Sequence, residues 1–128
     1  MIHHVSVGSN DVARAKAFYD PVMEAMGLRC LKSRDGAVDY GSTRLIFSIE
    51  TPVDRKPATA GNGVHIAFDV EERGQVDAFH AAGLANGGTD AGAGAAAEIR
   101  RQLSRRVPVR SGREQGGGGQ LHVEVKAM

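Results

Sequence analysis

Two histidines carry the clearest chemistry in this chain. His4 and His65 stand 61 residues apart, and each begins a stretch of alternating character, "HVSVG" and "HIAFDV". Alternation puts His4, Ser6 and Gly8 on one strand face and Val5 and Val7 on the other, and it gives His65 and Ala67 the matching parity. Imidazole suits Zn, Ni, Fe and related divalent ions, and ligands from two repeated strands can converge where their sheets meet. The same two side chains would serve equally as polar lining of a cleft. The residues leave both uses open. His3, of opposite parity, is expected to face solvent or pack beside a helix.

The elements that must position these histidines occur twice. After the first strand, "SND" supplies capping chemistry with Asp11 as the N-cap. In "VARAKAFYDPVMEAMG", Val12, Ala15, Phe18, Tyr19, Val22 and Met26 recur at helical spacing and form one apolar face. Pro21 is expected to kink or open this helix, and Gly27 to end it in a left-handed conformation. "LRCLKS", "GAVDYG" and "RLIFSIE" read as three short strands, and residues 53–62 as a surface connection. "GVHIAFDVEERGQVDAFHAAGLANGG" then restarts the order. An offset of 61 superimposes Ala17 on Ala78, Phe18 on Phe79 and Gly27 on Gly88. A repeat of this length fits a duplicated module of strand, helix and three strands.

Composition sets the bounds. With 128 residues and a 41% hydrophobic content the chain suits one globular domain. Its single cysteine, Cys30, rules out an internal disulfide framework and fits a reducing cytoplasm. No apolar run is long enough to span a bilayer, and the first residues lack the pattern of a signal peptide. The net charge of +1 hides a split: residues 1–93 sum to −3 and residues 94–128 to +4.

The stretch "HVSVGSNDVARAKAFYDPVMEAMGL" resembles the opening module of the glyoxalase/bleomycin-resistance/extradiol-dioxygenase (vicinal oxygen chelate) superfamily, and "GNGVHIAFDV" resembles the start of its second module. The resemblance covers residues 1–93. It implies an α+β fold in which two βαβββ modules form a cup-shaped mixed sheet: residues 1–52, a connection, then 63–128. The resemblance further implies a homodimer and a small oxygenated ligand or substrate held in the cup, with Ser6, Tyr40, Phe47 and Ala67 as cleft-lining positions; Tyr40 and Phe47 read alternatively as plain core residues. It implies metal ligands at His4 and His65, with Zn, Ni, Fe or Mn as the ion. The family's third ligand comes from the last strand of the first module, where Glu50 is the only carboxylate and Phe47 occupies the usual spacing. Two activities follow as expectations: a metal-dependent lyase, isomerase or dioxygenase, or a metal-free ligand-binding module of the bleomycin-resistance type.

The C-terminal third departs from this pattern. Residues 98–120, "EIRRQLSRRVPVRSGREQGGGGQ", hold six arginines and four consecutive glycines, with no Asp-Pro-x-Gly-Asn turn and no following ligand strand. Codons permitted for residues 97–120, read one base later, translate as "PKYGANYRAAFLFDPDGNKVEAV", which contains both. Residues 94–128 therefore read as out of frame, diverging near Ala93, and the second module is expected to be incomplete or distorted beyond that point. The family's final glutamate is then missing, and Glu124 in "LHVEV" is its only substitute. A real basic tail is the alternative, but no aromatic residues interleave the arginines and no nucleic-acid or membrane motif accompanies them.

Overall fold

Helix α1 (Val12–Glu24) begins where the side chain of Asp11 accepts a hydrogen bond from the Arg14 amide at 2.9 Å. It buries Ala15, Phe18, Tyr19, Val22 and Met23, the apolar face expected from the spacing. In this computed structural model the described residues are 1–59, 61, 63–90, 97–101 and 121–127, with backbone alone from residue 89 onward. α1 continues through Pro21 as one helical element. Proline removes one backbone donor, but Val22 and Met23 beyond it are fully buried, and that burial holds the last turn in place. Gly27, at φ 77°, ends the helix in the left-handed region as predicted.

The first module continues with β1 (Val5–Gly8) placed before α1, and then β2 (Arg29–Arg34), β3 (Ala37–Gly41) and β4 (Leu45–Glu50). Their order in the sheet is β1-β4-β3-β2, with β1 and β4 parallel and the other pairs antiparallel. The parallel pair encloses α1 as its crossover, the role a helix has in joining parallel neighbours. Every residue of β2 is exposed, and Arg29, Lys32 and Arg34 on this edge strand discourage pairing with another chain.

The second module repeats the plan: β5 (His65–Val70), α2 (Arg73–Ala85), β6 (Thr89–Asp90), β7 (Ala97–Arg101) and β8 (Leu121–Ala127), in sheet order β5-β8-β7-β6. Its backbone ladders do not require a particular side-chain set, and the module is reduced relative to the first: β6 has only two residues where β2 has six. Residues 102–120, the greater part of the arginine and glycine tract, lie outside the described residues. The repeat also slips by one at the helix exit: Gly87, at φ 96°, takes the place expected for Gly88.

One apolar cluster joins the modules. Tyr19, Val22, Met23, Tyr40, Phe47 and Ile49 from the first pack with Phe68, Val70, Val76 and Phe79 from the second. Phe47 and Phe68 meet edge to face at 5.6 Å, a favoured aromatic geometry.

Candidate functional site

The first sheet has two unlike faces. Val5, Val7, Val38, Tyr40, Phe47 and Ile49 alternate toward α1 and the core. The intervening residues form the opposite face, and the strand register arranges them in rows. One row crosses all four strands as Ser6, Ser48, Asp39 and Lys32; the next runs Gly8, Glu50, Ala37 and Arg34.

Asp39 is the centre of this face. Its carboxylate accepts a hydrogen bond from the Ser48 hydroxyl at 2.7 Å and another from the Arg34 guanidinium at 2.5 Å. Asp39 and Ser48 are buried, while the Arg34 side chain remains 44% exposed. Burial by itself pushes the Asp39 carboxyl up. The hydrogen bonds from Arg34 and Ser48 and the charges of Arg34 and Lys32 outweigh it and hold the group below its ordinary value. Asp39 is therefore an anchored anion with both oxygens engaged, and Arg34 keeps further donors for another acceptor.

On the helix side, the Tyr40 hydroxyl donates to Asp20 at 2.8 Å, and Lys16 donates to the other oxygen of that carboxylate. Burial, together with the adjacent Asp20 charge, raises the Tyr40 phenol far above its ordinary value. Tyr40 and Phe47, expected to line the cleft, are fully buried against α1. The cleft reading of this pair is corrected in favour of the core reading. Both have the parity of Val5, so the sheet turns them toward the helix, and a cup on the other face cannot reach them. For the same reason Phe47 does not occupy a ligand position.

Ser6 and Ala67 are exposed, with the parity expected of cleft-facing residues. His4 lies just before β1 and His65 begins β5; both are exposed. The two strands belong to different sheets and share no backbone ladder. The Nδ1 atoms of His3 and His4 lie 2.8 Å apart, so His3 is engaged with its neighbour. Glu50 shares the face of Ser6 but stands in register with Gly8 at the far end of the strand. Glu124 stands in register with Ala67 on one side and Glu98 on the other.

Sequence reasoning missed Asp39, Ser48, Lys32 and Arg34. The signal for Asp39 and Ser48 was present in "AVDY" and "IFSIE", where a polar residue interrupts an apolar strand on the parity of the open face.

No family model and no curated protein matches the chain. Solved structures do. A glyoxalase/bleomycin resistance protein from Albidiferax ferrireducens T118 is 31% identical, with 98% of each chain covered and a TM-score of 0.74. This chain belongs to the glyoxalase/bleomycin-resistance/dioxygenase superfamily. Two more distant structures share the fold. A glyoxalase-related enzyme from Fulvimarina pelagi has 12% identity, 98% and 88% coverage and a TM-score of 0.60. A family enzyme from Burkholderia phytofirmans PsJN has 13% identity, 96% coverage of both chains and a TM-score of 0.56.

Membership of this superfamily makes the donor set worth testing against a metal, and the described residues do not fit one. No group of three or more His, Cys, Asp or Glu among them is placed to hold an ion. The register supplies the reason. Glu50 is four residues along the strand from the position beside His4, about 13 Å at 3.3 Å per residue, whereas metal–donor bonds are near 2 Å. The open-face positions of β4 nearer to His4 are Ile46 and Ser48, neither of them a carboxylate. No helix among the described residues is long and apolar enough to cross a membrane.

Proposed function

We propose that this superfamily member is a metal-independent binding module for a small oxygenated ligand, of the bleomycin-resistance type, working in the cytoplasm as a homodimer. The observation that carries the reading is the row Ser6, Ser48, Asp39 and Lys32 across the open sheet face. It offers the Ser6 hydroxyl and the Lys32 ammonium for ligand oxygens, braced by the buried Ser48–Asp39 pair, in the place where a metalloenzyme needs a converging donor set. Arg34 adds planar donors suited to a carboxylate or phosphate, and its bond to Asp39 sets its direction in advance.

The rival reading is a metal-dependent lyase, isomerase or dioxygenase. It is favoured by the matching parity and exposure of His4 and His65. Elemental analysis of purified protein, paired with titration of metal-free bleomycin followed by calorimetry, separates the two. Binding in the presence of a chelator, weakened at least about ten-fold by Arg34→Gln, is the expected result. Stoichiometric Zn, Ni, Fe or Mn that is lost in both His4→Ala and His65→Ala overturns it.

A further inference from the structure

The chain between β4 and β5 is tied down at one point. The Asn10 side-chain amide grips both backbone polar groups of Ala58: its nitrogen donates to the Ala58 carbonyl at 3.1 Å, and its oxygen accepts from the Ala58 N–H at 2.7 Å. Ala58 is buried, although Arg55, Lys56, Pro57 and Thr59 around it are exposed. Its seat is Gly8. A Cβ built on Gly8 would lie 3.1 Å from the Ala58 Cβ and 3.4 Å from Pro52, so the missing side chain is what admits the plug. Gly8 has the parity of the open face and stands in register with Glu50, which places Ala58 and Pro52 over the Glu50 end of that face.

The segment is also strained. Arg55 has φ 57°, the single non-glycine residue with positive φ among the described residues. Its N–H donates to the Pro52 carbonyl at 2.9 Å, and the Lys56 N–H donates to the Asp54 carboxylate at 3.0 Å. Strain of this kind persists where surrounding contacts enforce it, and it favours release once they part.

We propose that residues Pro52–Ala58 form a latched strap over one end of the open sheet face, with Asn10 as the latch, Ala58 as the plug and Gly8 as its seat. Breaking the two Asn10 bonds withdraws Ala58 and uncovers Glu50 while the sheet stays folded. The inference concerns access to the face and holds whether that face binds ligand with or without metal.

Trypsin cleavage between Arg55 and Lys56 in the full chain reads the opening, since the Lys56–Pro57 bond resists the enzyme. Carbodiimide labelling of Glu50, followed by mass spectrometry, reads the uncovering. Asn10→Ala is expected to speed cleavage about ten-fold, the effect of losing two hydrogen bonds, and to raise Glu50 labelling. Asn10→Asp keeps the acceptor for the Ala58 N–H and loses the donor to its carbonyl, so it should fall between. Gly8→Ala should speed cleavage with Asn10 intact. Repeating the assay across urea concentrations below the unfolding transition separates local opening from global unfolding: a rate insensitive to urea supports the strap. Wild-type cleavage rates in Asn10→Ala, unchanged Glu50 labelling, or a rate that climbs with urea like global unfolding would each overturn the proposal.

Discussion

In the first module the last strand, β4, reads "LIFSIE" and sets Phe47 in register with Val5; in the second, β8 reads "LHVEVKA" and sets Val123 in register with Ile66. The backbone plan is common, but the residues that fill it differ. Asp39 stands opposite Ser48, a donor for its carboxylate, whereas the corresponding pair on β7 and β8 is Glu98 opposite Glu124, two like charges. The helices differ as well. α1 starts on Asp11 and contains Pro21, while α2 starts with a reciprocal Glu72–Gln75 capping box and has Ala82 in the proline's place. The comparison teaches that amphipathic helices and backbone ladders suffice to repeat a topology. A polar site requires side chains chosen to satisfy one another, and the first module has them.

The largest expected effect removes the difference between modules. A chain with its reading frame restored near Ala93 gains "YRAAFLF" for a buried strand and "DPDGN" for a turn, in agreement with the first module. Its unfolding temperature in scanning calorimetry should rise by roughly 10 °C or more, as a gain of several kcal/mol in a domain of this size implies. Equal unfolding temperatures for the two chains would show that residues 98–120 suit this fold as they stand.

Asp39→Asn tests the polar network of the first module. The folded-state carboxyl is held below its ordinary value of 3.8, so it contributes stability above that pH and loses the contribution as pH falls through the lowered value. The substitution should cost about 1–2 kcal/mol near neutral pH, the range for hydrogen bonds to a charged group that is partly screened by solvent at Arg34. It should also flatten the fall in stability below pH 4. Denaturant titrations of both proteins at several pH values check this, and an unchanged acid limb would place the acid sensitivity elsewhere.

The smallest effect concerns Glu124. Glu124→Ser gives β8 the residue that β4 carries at Ser48 and leaves one acidic residue instead of two at the register position shared with Glu98. Stability measured by urea titration at low salt should rise by a few tenths of a kcal/mol, and the gain should shrink as salt is added. A loss of stability, or a gain indifferent to salt, would show that charge at this register position does not weaken the second sheet.

Much of the architecture was written locally. The 3.6-residue spacing of Ala15, Phe18 and Val22, the Asp11 cap and the left-handed Gly27 specify α1 from neighbouring residues alone, and the offset of 61 reveals the duplication. The period of two separated Val5 and Val7 from Ser6 and Gly8 within β1 and gave Ala67 the parity of Ser6. What periodicity lacks is the identity of the element that covers each face. Tyr40 and Phe47 therefore read as cleft or as core residues alike, and α1, by packing on their side of the sheet, decides for the core. Register was equally out of reach, because it depends on pairing between strands far apart in the chain. Pairing Gly8 with Glu50 and Ser6 with Ser48 moved the carboxylate away from His4 and brought Asp39, Ser48 and Arg34 together. At Pro21 the chain loses one backbone donor, yet burial of Val22 and Met23 carries the helix on to Glu24. Short-range chemistry determined which elements form; long-range packing decided which side chains share a face and which of them meet.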